Sequence, residues 1–165
     1  IIKLEPGETL VAVLPFTPEE PYLLLTAKGQ GIRFVPADVR PMGRTAAGVR
    51  GIKLADGDRV VGAASAPDGT DVIVVHTKGA AKRVAAIEFP VQGRAGKGVR
   101  AAAPGGRYGD ISVIARAGAL SARLANGTVV EFPVSTAVSV ARDAAPAKIR
   151  GFDGVVVDLF PTPPA

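Results

Sequence analysis

Basic side chains occur in two dense groups along the chain, and their chemistry suits the binding of phosphate. Residues 28–53 hold six basic groups against the single acid Asp38, and residues 78–100 hold six against the single acid Glu88. Arginine and lysine form charge-assisted hydrogen bonds with phosphate oxygens, and arginine can form two in parallel. The candidate binding residues are Lys28, Arg33, Arg40, Arg44, Arg50, Lys53, Lys78, Lys82, Arg83, Arg94, Lys97 and Arg100.

The residues that could carry catalysis are few and poorly placed for it. Tyr22 opens a strand beside a proline, and Tyr108 lies in a glycine-rich turn without a neighbouring base, so neither is prepared as a nucleophile. His76 is the one histidine and lies in an apolar stretch, which favours a structural role. Gly96-Lys97 lacks the other positions of a nucleotide phosphate loop, and no cluster has metal-site spacing. We expect no catalytic activity, metal or cofactor in this chain.

The composition limits the class of protein. The 165 residues are 47% apolar, which is enough for a sizeable core, and the net charge of +5 favours an acidic partner such as nucleic acid. The chain has no cysteine, which excludes disulfides and thiolate metal sites and favours a cytosolic location. No apolar run approaches the roughly 20 residues that cross a bilayer, so we expect a soluble protein without a membrane partner.

The sequence repeats itself with a period close to 50 residues. Ile2-Lys3-Leu4 returns as Ile52-Lys53-Leu54, and the pattern Gly-Arg, three residues, Gly-Val-Arg that ends at Arg50 returns ending at Arg100. A third copy has drifted, with Ile149-Arg150 as its eroded form. The period predicts one domain over residues 1–165, with repeats at approximately 1–50, 51–100 and 101–150, then a terminal strand and proline-rich tail over 151–165.

Each repeat has the pattern of short β-strands. Its apolar stretches are rich in valine, isoleucine and leucine, and glycine, proline, aspartate and asparagine separate them. Val72 to Val75 before Lys78-Gly79 predicts a hairpin, and Asn126-Gly127 predicts another with a type I′ turn. About four strands per 50 residues, repeated, is typical of propeller blades, so we predict an all-β, propeller-like fold with about three four-stranded blades.

Because equivalent residues of successive blades lie on equivalent surfaces, the repeated charge predicts a cationic stripe along one rim. The third repeat is less basic at the positions that align with cations of the first two. We therefore expect the first two blades to bind and the third to support them, with charge reversal at Arg44 and Arg94 weakening binding more than reversal at Arg142. The paired positions are Arg33 and Arg83 with Glu131, Lys28 and Lys78 with Asn126, and Arg44 and Arg94 with Ala144.

The most specific motif resembles a known family. Residues 40–54 read Arg-Pro-Met-Gly-Arg-Thr-Ala-Ala-Gly-Val-Arg-Gly-Ile-Lys-Leu, and Asp-Gly-Asp-Arg-Val-Val-Gly follows at 56–62. This resembles a blade motif of the C-terminal domain of the A-type subunit of DNA gyrase and of the related topoisomerase IV. Lys82-Arg83 leading to Glu88-Phe89-Pro90 and Gly98-Val99 resembles the next blade. The likeness is strong in the first two repeats and faint after Gly105.

The resemblance implies a β-pinwheel, whose blades exchange strands, and sequence-nonspecific binding, bending and wrapping of double-stranded DNA. It implies a non-catalytic domain of a bacterial, ATP-dependent type IIA topoisomerase that acts in the cytoplasm at the nucleoid. Its partners would be the ATPase B-type subunit, together with the rest of the A-type subunit. The chain departs from the family in two ways. The full domain usually has five or six blades, so three indicate a fragment or a reduced form. Residues 92–98 match the seven-residue gyrase box only in part.

Two other functions fit a propeller. A kelch-like scaffold would use the basic rim to hold an acidic protein, and its binding would depend weakly on salt. A propeller-type hydrolase would need a convergent pair of acids, which the sequence does not indicate. Aromatic residues make up 5% of the chain and are not spaced regularly near the basic segments, which argues against stacking of single-stranded bases.

Overall fold

The chain folds into short β-strands joined by tight turns, which confirms the predicted all-β class. The computed structural model describes residues 4–43, 46–103, 106–150, 152 and 154–163. Three 3-10 helices, Pro36–Asp38, Ala86–Glu88 and Val134–Thr136, are the helices of this described part. The strands are β1 (Tyr22–Thr26), β2 (Gln30–Phe34), β3 (Val60–Ser65), β4 (Asp71–His76), β5 (Ala80–Ala85), β6 (Val99–Arg100), β7 (Ile111–Arg116), β8 (Leu120–Leu124), β9 (Val129–Phe132), β10 (Val138–Ser139), β11 (Ala147–Lys148) and β12 (Val156–Pro161).

Three sheets are each built on one hairpin. Sheet 1 has the order β3-β1-β2-β6, and sheet 2 has the order β10-β5-β4-β7 with β11 also paired to β5. Sheet 3 has the order β12-β8-β9. The predicted four-stranded blade is therefore found in sheet 1, whereas sheet 2 gains a strand and sheet 3 has one fewer. None of the helices among the described residues is long and apolar enough to cross a membrane.

Strands are exchanged between repeats. β6 follows the second hairpin in sequence, yet it pairs with β2 of the first hairpin. In the same way β10 and β11 follow the third hairpin but pair with β5 of the second. Each of these crossings supplies hydrogen-bond partners to a sheet edge that would otherwise present unpaired backbone groups. Sheets 1 and 2 are thus completed by the repeat that follows them, as in a pinwheel.

The three hairpins share one turn, with glycine at its left-handed position. Gly29, Gly79 and Gly127 have φ of 86°, 75° and 86°, and each donates its N–H to the carbonyl three residues earlier. Ala95 is the one non-glycine residue with positive φ in the described part of the chain, so Asn126 is not left-handed. The predicted type I′ turn at Asn126-Gly127 is therefore wrong. A type I turn followed by a left-handed glycine joins the strands instead.

The sheets pack face to face, and this explains the unbroken apolar run in β4. Val72 and Val74 point into a core shared with Leu23 and Leu25 of sheet 1. The alternate residues of β4 point into a second core shared with β8 of sheet 3. Side chains alternate across a strand, so a strand buried on both faces needs an apolar residue at nearly every position.

The inner strands of the sheets surround a central cavity. Residues 11–14, 61–65, 113–116 and 157–161 line a space of about 430 Å³. On the face of sheet 1 that points away from sheet 2, a groove of about 930 Å³ lies between residues 10–16 and residues 39–43, 46 and 48. Apolar side chains remain exposed there, including Val13 at 80% and Phe16 at 64%.

The hairpin registers give the spacing of the repeats. Tyr22 pairs with Phe34, Val72 with Val84, and Leu120 with Phe132. Equivalent positions are therefore 50 residues apart between the first two repeats (72 − 22) and 48 apart between the second and third (120 − 72). The third repeat is therefore two residues closer to the second than the second is to the first.

A glycine at the strand crossing gives the first prediction. Gly98 has φ of 70°, and a Cβ atom there would overlap the carbonyl of Gly31. We expect Gly98→Ala to lower the free energy of unfolding by about 1–3 kcal/mol from backbone strain. Gly93→Ala is the matched control, because a Cβ at Gly93 meets no atom within 4 Å and should change stability by less than about 0.5 kcal/mol. Urea unfolding of both variants measures the difference, and equal effects would contradict this packing.

Candidate nucleic-acid interface

The outermost strands of sheets 1 and 2 carry equivalent basic residues. Arg100 on β6 pairs with Gln30, and Lys148 on β11 pairs with Ala80. Both basic side chains are exposed. Because of strand exchange, the cation that each repeat contributes at this position lies on the sheet of the repeat before it.

A loop contact adds three more exposed cations to this edge. Residues 95–96 cross back over residues 51–53, with Ala95 N–H donating to Gly51 O at 2.6 Å and Lys53 N–H donating to Gly96 O at 2.8 Å. Exposed side chains at neighbouring positions are thereby held beside sheet 1. We use the term outer rim for the five exposed cations Arg50, Lys53, Lys97, Arg100 and Lys148.

Arg94 is half-buried and holds the crossing loop to the first repeat. Its Nε donates to Asp38 O at 3.0 Å, and its Nη1 donates to Arg50 O at 3.1 Å. Two carbonyl partners fix the direction of the guanidinium. Arg94 therefore joins the second repeat to the first, and its guanidinium has limited freedom to contact a phosphate.

Arg142 makes the equivalent pair of hydrogen bonds one repeat later. Its Nε donates to Glu88 O at 2.9 Å, and its Nη1 donates to Arg100 O. Both acceptors are the 50-residue equivalents of those that Arg94 uses. The alignment of Arg94 with Ala144 is therefore wrong, because Arg142 is the equivalent of Arg94. Reversing the charge at either arginine removes the same kind of hydrogen bonds between repeats.

Arg33 is predicted by the repeat pattern to lie on the rim, and its position in the core contradicts this. It is 2% exposed, with Nε donating to Ala66 O at 2.7 Å and Nη1 donating to Phe89 O at 3.2 Å. Its Nη2 pairs with Asp68 at 2.5 Å. The guanidinium binds groups within the domain and is hidden from an external phosphate.

Lys82 is also predicted to lie on the rim, and this prediction is wrong because Lys82 lies inside the domain. Its side chain is fully buried, and its ammonium donates to Ala101 O, Arg142 O and Ala144 O at 2.6, 2.6 and 2.8 Å. Burial lowers the pKa of Lys82 from 10.5 to about 8, against the opposing charge of Asp143. Lys82 is a structural cation.

Two further candidates are already bonded to groups within the domain. Lys28 is half-buried and donates from Nζ to Asp56 O at 2.7 Å. Arg83 forms an ion pair with Asp71 at 3.2 Å. Arg40 and Lys78 are exposed, the first in the segment after β2 and the second in the turn between β4 and β5. Arg44 lies outside the described residues.

Lys148 and Arg150 are exposed cations that the sequence analysis did not include among the candidate binding residues. Lys148 is the structural equivalent of Arg50 and Arg100. The signal for it is a deletion of two residues between the second and third repeats. The predicted alignment has a spacing of 48 residues at the turn Gly79 to Gly127 but 50 residues beyond it, and extending the spacing of 48 aligns Arg100 with Lys148.

The described residues carry no group arranged for catalysis. Tyr22 donates its hydroxyl to Pro15 O, and Tyr108 lies under the guanidinium of Arg107 at 5.5 Å. His76 is 3% exposed with Nδ1 3.0 Å from Gly109 O, and burial lowers its pKa. No group of three or more acids or histidines in this part of the chain could hold a metal.

A family model agrees with this architecture. The family described as DNA gyrase C-terminal domain, beta-propeller, matches residues 21–67 and 71–110. These ranges cover the hairpins of sheets 1 and 2 and the crossing segment that carries Arg94, Lys97 and Arg100.

Curated relatives include the A subunits of DNA gyrase from several bacteria. The chain is 40% identical to that of Mycobacterium tuberculosis (strain CDC 1551 / Oshkosh) over 100 residues, which are 59% of this chain and 12% of the relative. It is 40% identical to that of Staphylococcus epidermidis (strain ATCC 12228 / FDA PCI 1200) over 115 residues, 68% of this chain and 13% of the relative. The match thus spans about an eighth of these relatives.

The solved structures that share the fold include two C-terminal domains. The structure of DNA gyrase A C-terminal domain is 26% identical with a TM-score of 0.73, and the match covers 90% of this chain and 51% of that one. The crystal structure of the C-terminal domain of DNA topoisomerase IV is 22% identical with a TM-score of 0.74, over 87% of this chain and 46% of that one. The pinwheel fold is confirmed, and the chain spans about half of each domain.

The core position of Arg33 predicts a loss of stability on truncation. Arg33→Met leaves Ala66 O and Phe89 O without their donors, and we expect the free energy of unfolding to fall by about 2–4 kcal/mol. Arg40→Met removes the same charge from an exposed position and should change it by less than about 0.5 kcal/mol. Equal urea midpoints for the two variants would contradict the structural role.

The low pKa of Lys82 predicts a pH dependence with a definite sign. Between pH 8 and 10.5 the unfolded chain binds this proton more tightly than the folded chain, so the contribution of Lys82 to the free energy of unfolding rises with pH. We expect the free energy of unfolding of the wild type, relative to that of Lys82→Met, to rise by up to roughly 3 kcal/mol across this window. Below pH 8 this difference should not change with pH. Denaturant unfolding at several pH values measures this, and a gap that narrows with pH would contradict it.

Proposed function

Since this chain belongs to the family of DNA gyrase C-terminal domains, which fold as β-propellers, we propose that it binds double-stranded DNA along its outer rim and bends it. In this proposal the chain is a non-catalytic accessory domain of a bacterial type IIA topoisomerase. The named relatives are A subunits of DNA gyrase, and one solved neighbour is a topoisomerase IV domain.

The observation that carries the proposal is a cation repeated at equivalent positions, which in sheets 1 and 2 lies on the outermost strand. Arg50, Arg100 and Lys148 are equivalent positions in successive repeats and are all exposed. A duplex presents phosphates at regular intervals, and an evenly repeated cation meets such a partner better than a single strong site does. Lys53 and Lys97 widen the same surface at sheet 1.

Contacts of this kind give affinity without base readout. Phosphate contacts position a protein on the duplex, whereas sequence is read at base edges in the grooves. The outer rim consists of lysine and arginine on short strands and loops, and within the described ranges neither a helix nor a long β-ribbon projects from it toward a groove. Any sequence preference would then come from how easily a duplex bends.

The context of the parent protein is part of the proposal. The partners are the ATPase B-type subunit, together with the rest of the A-type subunit, in the bacterial cytoplasm at the nucleoid. We propose that residues 1–165 act as one domain and that an additional blade covers the apolar groove beside sheet 1. The solved domains are about twice as long as the part that matches this chain, which supports this view.

A salt series tests the proposal. We expect fluorescence anisotropy with a mixed-sequence duplex of about 40 base pairs to give an affinity that falls steeply with salt, with log K losing about 0.9 per phosphate contact per decade. A scrambled duplex should bind equally well. Undetectable binding at low salt would contradict DNA binding and favour a scaffold for an acidic protein.

A pair of charge reversals locates the surface. Lys148→Glu should lower the salt slope by about 1 and weaken binding several-fold, because one rim contact is replaced by repulsion. Arg59→Glu is the matched control, since Arg59 is exposed outside the outer rim and the change in net charge is the same. Equal losses for the two variants would place the DNA elsewhere on the domain.

A further inference from the structure

The crossing loops of the second and third repeats differ in their glycine content. Residues 93–98 read Gly-Arg-Ala-Gly-Lys-Gly, and the equivalent residues 141–146 read Ala-Arg-Asp-Ala-Ala-Pro. The first loop uses positive φ at Ala95 (68°) and at Gly98 (70°). Proline is fixed near −65°, so Pro146 cannot take the conformation of Gly98. The third repeat must hold its loop in another way.

In sheet 1 the glycine-rich loop is held by its own backbone. Ala95 N–H donates to Gly51 O at 2.6 Å. Beneath the loop lies Ile32, whose Cδ1 would be 3.6 Å from a Cβ atom placed on Gly96. The loop therefore packs closely on an apolar side chain and needs no polar anchor from the strand below.

In sheet 2 a lysine occupies the position of that isoleucine. Lys82 is the 50-residue equivalent of Ile32, and Ala101 is the equivalent of Gly51. Lys82 Nζ donates to Ala101 O at 2.6 Å. In sheet 1 the equivalent carbonyl, that of Gly51, accepts instead from the N–H of Ala95 in the loop. The other two bonds of Lys82 Nζ go to Arg142 O and Ala144 O in the loop itself.

We propose that Lys82 is a positioning residue for the outer rim: its buried ammonium replaces a backbone N–H as the anchor of the glycine-free loop and thereby holds β11 and Lys148 on sheet 2. All three ammonium protons have carbonyl acceptors, two in the loop and one in the segment after β6. What Lys148 contacts rests on the proposed function, whereas the anchoring itself does not.

Hydrogen exchange followed by NMR tests the anchor without DNA. We expect Lys82→Met to speed exchange of the amides at 140, 144, 145, 147 and 148 about tenfold or more, and to leave those at 95–101 unchanged. A slowly exchanging ammonium signal from Lys82 should be present in the wild type. Lys78→Met is the matched control, since it removes an exposed lysine next to the same strand and should leave both loops protected.

A combined variant keeps the test decisive if Lys82→Met disrupts the fold more widely. Lys82→Ile together with replacement of residues 141–146 by the sequence of 93–98 restores the pairing of isoleucine with a glycine-rich loop. We expect protection at 144–148 to return in this variant. Unchanged exchange in Lys82→Met, or a combined variant whose 139–148 segment stays unprotected, would overturn the proposal.

The DNA titration separates this inference from the proposed function. In Lys82→Met the salt slope should fall by about 1, as in Lys148→Glu, although Lys82 itself meets no phosphate. If the wild type bound no DNA, the proposed function would fail while the exchange rates still decided the role of Lys82. A slope unchanged in Lys82→Met but lowered in Lys148→Glu would show that the anchor does not position the rim, and would overturn the inference.

Discussion

The structure depends on one constraint: the outer edges of the first two hairpins receive backbone partners from the following repeat. A sheet edge with unpaired N–H and C=O groups invites association with other chains, and this fold closes the edges of β2 and β5 with the short strands β6 and β11. Packing follows from the same exchange. Because successive repeats are bound edge to edge, their sheets stack closely enough for β4 to be buried on both faces.

Strand exchange also decides where the charge lies. The cations that close a sheet edge are the outermost residues of that sheet, so Arg100 and Lys148 stand at equivalent exposed places on neighbouring sheets. Other arginines and lysines hold the crossing segments in position. Arg94 and Arg142 bind carbonyls of the preceding repeat, and Lys82 binds three carbonyls of the following repeat. The basic residues thus fall into two groups: those that hold the rim in position through hydrogen bonds within the domain, and those that are exposed on the rim.

The fold was predictable from the sequence because hairpins, turn glycines and their repetition are local signals. The same signals do not distinguish the buried Arg33 from exposed cations such as Arg100, since both belong to one repeated pattern. Their difference arises from contacts at separations of 33 to 56 residues, namely the carbonyls of Ala66 and Phe89 that enclose Arg33. A deletion of two residues likewise shifts the third repeat and hides Lys148.

In the proposed complex, DNA runs across β6 and β11 while the buried cations stay behind it. Titration of the isotope-labelled chain with a short duplex, followed by NMR, tests this residue by residue. The largest shift changes are expected at Lys97, Arg100 and Lys148, with Arg59 and the core around Arg33 unaffected. Changes confined to the apolar groove or the hairpin turns, or none at low salt, would contradict this path of the DNA.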